Sequence, residues 1–231
     1  MSETWDPRYK YASRVSDVLV SVAKHGFALE LDDQTKSRWA EIMMLMREVD
    51  TRADSTPSEE ILAELSEFTD FYERYPNLTA VGKDSPMQNE LLAQAEKILR
   101  TGKQMAHVST PLRYLAFRRR EAIQTAHVFL ITASDEVRKQ KGFDDQFIPM
   151  LARVAVASSY FDDLLDATSD YKRGTIAFRP TPAFKATLLR ETVKEVARDG
   201  KSFLAPQTIK QFAKMCLVGR YSHYLQRRQS K

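Results

Sequence analysis

The chain has a single cysteine, Cys216. That excludes an internal disulfide framework and any metal site built on several thiolates. Glycine is scarce, with seven in 231 residues, and the nine prolines form no low-complexity tract. Such a composition leaves little room for disorder, so residues 1–10 are expected to be a flexible lead and 11–231 a single domain. No apolar run approaches the roughly 18–20 residues of a membrane span. The opening stretch, MSETWDPRYKYASR, lacks the apolar core of a secretory leader. A cytoplasmic protein with no membrane span is the expectation. A strong excess of one charge is missing too. The net charge is only +4 with 29% charged residues, which suits an anionic ligand without pointing to nucleic acid. Strand alternation, Asn-Gly hairpins and internal repeats are all lacking.

What is present is helical periodicity. Val15, Val18, Leu19 and Val22 place a helix over 11–30, and Trp39, Ile42, Met43, Met46 and Val49 place another over 36–50. Thr56 as cap, Pro57 at the first helical position and Glu59 in a capping box start a third that runs to about Tyr75. Further helices are expected over 86–101, ending at Gly102, over 110–141, over 143–174, over 182–199, ending at Gly200, and over 206–228. The stretch 76–86 reads as a loop. The sum is a single all-α domain, a bundle of about eight helices.

The chemistry concentrates in YFDDLLDATSDYKRG, residues 160–174. Asp162, Asp166 and Asp170 recur at i, i+4 and i+8 and therefore share one stripe of a helix, with Asp163 beside it. The segment before them, VAVASSYF, is apolar or small, so the helix is expected inside the bundle. A buried carboxylate row needs cations, and Mg²⁺ suits carboxylate oxygens while keeping waters that a phosphate can share. A second acidic pair, Asp50 and Asp54 in MREVDTRADSTP, ends the helix over 36–50. Basic clusters stand at FRRRE (117–121), DYKRG (170–174) and the C-terminal GRYSHYLQRRQSK.

On these motifs the chain resembles the class I isoprenoid synthases, the superfamily of terpene cyclases, squalene and phytoene synthases and prenyl diphosphate synthases. FDDLLDATSDYKRGTIAFRP is similar to the second acidic motif of squalene and phytoene synthases, and VDTRAD to their first. Arg220-Tyr221 is similar to the Arg-Tyr pair near the C-terminus of terpene cyclases. Arg118, Arg119 or Arg120 lies where those enzymes keep a diphosphate-sensing arginine. The resemblance implies a bundle around a central cavity and an allylic prenyl diphosphate as substrate. It implies Mg²⁺ held by Asp50, Asp54, Asp162, Asp166 and Asp170, with Asp162, Asp166, Arg220 and Tyr221 as the catalytic set. Arg118, Arg119, Arg120, Lys172, Arg173 and Arg220 would bind the diphosphate, and a homodimer is common in the superfamily. Phe68, Phe71, Tyr72, Phe117, Phe129, Tyr160 and Tyr221 are candidates to line the cavity. His107 and His127 read as core or surface residues, and Met43, Met44 and Met46 as core. The sequence departs from the pattern in lacking an Asp doublet in its first motif, where Arg52 intrudes, and in carrying Asp162 for the usual Asn. Two other readings stand beside this one: a non-catalytic helical binding or adaptor protein, and an all-α Mg²⁺-dependent nucleotide pyrophosphohydrolase.

Overall fold

The computed structural model describes residues 7–53, 56–67, 74–79 and 85–203, with side chains described over 15–49, 52–53, 56–66, 74–78 and 85–198. Helix α1 spans Pro7–Phe27, α2 Asp33–Ala53, α3 Ser58–Glu67, α4 Pro76–Thr79, α5 Pro86–Ala106, α6 Pro111–Thr132 and α7 Asp135–Arg138. A π-turn over Phe143–Phe147 leads directly into α8, Ile148–Arg173, and α9 spans Pro182–Phe203. No strand occurs among the described residues. The all-α single-domain bundle expected from the periodicity is what the chain forms.

Helix α8 is the hub of the site half of the bundle and packs between α6 and α9. The other half is built by α1 on α2, α5 on α6, and α2 against α6. Two apolar clusters fill the interior. One centres on Trp39, whose indole N–H donates to the Phe129 carbonyl at 3.0 Å. Its ring lies edge-on to Phe129 and stacked with Phe147. The other joins Tyr114, Val156, Phe178, Phe184 and Leu188 along the α6–α8–α9 seam. Met43, Met44 and Met46 pack on the first cluster, as expected.

Several boundaries differ from the periodicity reading, each for a local reason. The helix expected over 110–141 breaks after Thr132. There the Ser134 N–H donates to Thr35 Oγ1 at 2.9 Å, the Ser134 hydroxyl donates to Asp32, and its oxygen accepts from the Val137 N–H at 3.2 Å. Helix α5 passes through Gly102, and α9 through Gly200. A lone helical glycine costs about 1 kcal/mol but does not stop a helix that packing holds. Part of the expected loop is helical. Glu41 accepts from the backbone N–H groups of Asn77 and Leu78 and so pins α4 to α2. Pro57 caps α3, its carbonyl accepting from Ile61 at 3.2 Å, instead of occupying the first helical position. Helix α8 does end at Gly174, which takes φ +81, a left-handed conformation that glycine adopts without strain.

Candidate functional site

The α8 helix brings its aspartates to the surface in an order opposite to expectation. Asp162 and Asp166 are exposed and Asp170 is half-buried, while Asp163, beside the stripe, is buried. The physical reason is the placement of the neighbours. Helices α6 and α9 cover the face that carries Val156, Tyr160, Asp163 and Ala167. The stripe at 162, 166 and 170 turns away from that face. The row is therefore not a buried carboxylate row, and the buried acid is the one the spacing argument set aside.

Arg118 of α6 meets that acid. Its Nη2 lies 3.1 Å from Asp163 Oδ1, and its Nη1 donates to Glu121 Oε2 at 2.7 Å. Asp163 Oδ2 and Arg118 Nε are both buried without a hydrogen-bond partner. Burial pushes the Asp163 carboxyl up to about 6, against the pull of Arg118 and the Tyr114 hydroxyl. For Arg118, burial is outweighed by the Asp163 and Glu121 carboxylates, which hold the guanidinium firmly protonated.

The next residue of α6, Arg119, pairs with the buried Glu195 of α9, whose second oxygen faces Arg198 at 3.5 Å. Tyr160 is buried between them and donates its hydroxyl to the Leu115 carbonyl at 3.1 Å. Burial raises its pKa, with Arg119 opposing. Arg118 and Arg119 thus each bridge α6 to a neighbouring helix through an ion pair, while Arg120 is exposed.

The other predicted residues divide. Arg173 pairs with Asp170 within α8 at 2.5 Å, and Lys172 is exposed. Asp50 lies in the last turn of α2, but its side chain is outside the described residues, as are Asp54, Phe68, Phe71, Tyr72, Arg220 and Tyr221 in full. Arg52, which interrupts the first motif, makes a bidentate pair with Glu64 at 2.5 and 2.6 Å and ties α2 to α3. Of the proposed lining residues, Phe129 packs on Trp39, Phe117 joins the second apolar cluster and Tyr160 is the buried phenol just described. His107 and His127 are exposed.

Hollows among the described residues include the following pair. One of about 10 Å³ lies between α2 and α3, lined by Val49, Arg52, Ile61 and Glu64 among others. The other, about 270 Å³, opens beside α1 against Lys24, Glu30 and Lys36. Neither is lined by α8. Among the described residues, no three histidine, cysteine, aspartate or glutamate side chains are placed to hold a metal ion.

The buried network of Asp163, Glu195 and Tyr114 escaped the spacing argument, which followed i, i+4 repeats along one helix. A cross-helix signal did exist in FRRRE, where three consecutive arginines fan over about 200° of the helix, so that at least one is turned toward a neighbouring helix. No protein-family model matches this chain, and neither does any curated protein sequence or any solved structure.

Proposed function

We infer that the chain is a class I isoprenoid-synthase-like protein that binds an allylic prenyl diphosphate. The allylic C–O bond breaks with both electrons leaving on pyrophosphate, and the carbocation cyclises or condenses. The observation that carries this reading is the meeting of Arg118 and the acidic segment of α8. A basic cluster and an acidic motif, at Arg118 and Asp163, 45 residues apart in the chain, come within 3.1 Å. The unpartnered Arg118 Nε is a donor that an arriving diphosphate oxygen could satisfy, and fixed cations at a developing anion are the larger part of such catalysis. No step is assigned to magnesium.

A second reading, a non-catalytic helical binding protein on the same plan, is favoured by a different observation. Arg118 and Arg119 are already neutralised by Asp163 and Glu195, and Asp162 and Asp166 face outward. One experiment separates the two. The full chain is incubated with Mg²⁺ and allylic diphosphates of several lengths while pyrophosphate release is followed, and Tm is measured with Mg²⁺–pyrophosphate. The synthase reading expects turnover that Asp166→Ala abolishes without loss of Tm. It also expects stabilisation by about 2.7 kcal/mol at a hundredfold excess over Kd. An unmoved Tm with no release leaves the binding protein.

A further inference from the structure

Five large apolar side chains stand in solvent on the outer face of the α8–α9 pair: Phe161 and Leu165 from α8, and Leu189, Val193 and Val196 from α9. The hydrogen bond from Lys185 Nζ to Thr168 Oγ1, at 3.0 Å, marks where the outer edges of the two helices meet. Arg119 draws Tyr160 and Glu195 together further along, so the helices run antiparallel. On that register Leu165 is level with Leu189, and Phe161 with Val193. At 100° per residue, Phe161 and Leu165 lie about 20° and 60° round α8 from Thr168, and the buried Tyr160 and Ala167 lie about 80–100° the other way. On α9, Val196, Leu189 and Val193 lie about 20°, 40° and 80° round from Lys185, and the buried Leu188 and Glu195 about 60–80° the other way. The five side chains therefore form one stripe along the outer groove between the helices, turned away from the core.

The two rims of the stripe carry opposite charge. The exposed Asp162 and Asp166 come about 120° and 160° round α8 from Thr168, beyond Leu165. Arg190 and Lys194, with side chains 72% and 54% exposed, come about 140° and 180° round α9 from Lys185, beyond Val193. The antiparallel register sets Arg190 at a height between the two aspartates. The stripe presents on the order of 500 Å² of surface, at the upper end for a patch on a monomer. The four rim side chains bring the face to the roughly 800 Å² per partner of a standard interface. We propose that this face pairs with the same face of a second copy of the chain, about a two-fold axis that runs along the helices. Such an axis lays α8 on the partner's α9 and preserves height, so Asp162 and Asp166 meet the partner's Arg190, twice over. An axis running across the helices sets acid on acid and base on base, and like charges disfavour it. In the favoured pairing each of the four helices runs antiparallel to both its neighbours, as in an up-and-down four-helix bundle. The contact is self-complementary and closes at two copies. The proposal does not depend on the chemistry inferred above.

Sedimentation equilibrium of the full chain tests this. Over a hundredfold dilution series in the micromolar range, the mass should reach twice 26.5 kDa at the concentrated end. Leu165→Asp/Val193→Asp should stay at 26.5 kDa throughout, with unchanged far-ultraviolet circular dichroism. Charge reversal reads the orientation on two exposed positions whose substitution leaves the core alone. Arg190→Glu should weaken the pairing by about tenfold or more, since it sets an acid against Asp162 and Asp166. Adding Asp166→Lys to it should recover at least about threefold. The two residues stand on opposite rims of one chain, so that recovery requires contact between two chains. A wild type that is monomeric at every concentration would overturn the proposal. So would a dimer that either set of substitutions leaves unweakened, or one in which the second charge reversal recovers nothing.

Discussion

Asp163 and Arg118 form a pair in which removing either partner has a pH signature. The folded Asp163 titrates near 6 because burial disfavours its anion, whereas an unfolded aspartate titrates near ~3.9. Between those values the folded chain holds a proton that the unfolded chain has lost. Stability contributed by this group is therefore full below about pH 4, falls as pH rises to about 6 and is level above. Asp163→Asn should abolish that slope. The difference in unfolding free energy between wild type and variant, measured by urea titration, should change by no more than about 3 kcal/mol between pH 4 and 7. A difference constant across that range would show that the carboxyl titrates normally. Arg118→Met leaves a buried carboxylate with no cation beside it. It should cost about 3–5 kcal/mol at pH 7 and less at pH 5, where Asp163 can take up a proton. Both measurements are read in the same denaturant series.

At the scale of elements, the junction between α6 and α7 is held by Ser134 and Thr35 across a separation of 99 residues. Ser134→Ala removes the cap of α7 and the partner of Asp32, a loss of about 2 kcal/mol. That should appear as a fall of roughly 4–8 °C in Tm for a domain of this size. An unchanged Tm would mean that water replaces the hydroxyl at no cost. This junction also shows what the sequence could yield. Ser-Asp-Glu after an apolar run is a helix-start signal, and it lay in ITASDEVRK, but the continuous periodicity around it dominated the reading. Helix α8 and its glycine stop were legible because Gly174 closes a run whose period is clear. The direction of its aspartates was not legible. Which face of a helix is buried depends on two helices far away in the chain, and one helix's own spacing cannot carry that. Gly102 and Gly200 misled for the converse reason, since local cost was weighed without the tertiary packing that overrides it. Val49 and Trp39 were readable as core because α2 has a single apolar stripe.

Across the whole molecule, Trp39 is where α2, α6 and the π-turn come together, and it is fully buried. Trp39→Ala removes a stacked and an edge-on aromatic contact together with the hydrogen bond to Phe129. It should destabilise the fold by about 3–5 kcal/mol, measured by urea unfolding. A loss below about 1 kcal/mol would mean that the two halves of the bundle are held independently of it. The π-turn has a longer reach. The Phe147 N–H bonds the Gly142 carbonyl at 2.9 Å, one residue further back than in an α-turn, and Ile148 does the same to Phe143. That extra residue lets Phe143 and Phe147 both enter the core and sets the phase with which α8 departs. Winding the same five residues as an ordinary α-turn would turn every later residue of α8 by about 100°. Asp163 would swing off Arg118, and a different carboxylate would be offered to it. Inserting an alanine after Ile148, inside regular α-helix, imposes the same rotation; circular dichroism of that variant should stay helical, while near-ultraviolet signals and the cooperativity of melting collapse. The five residues FDDQF thus act as an indexing collar: they decide which of four neighbouring acids is stored inside the protein and which are shown to its surroundings.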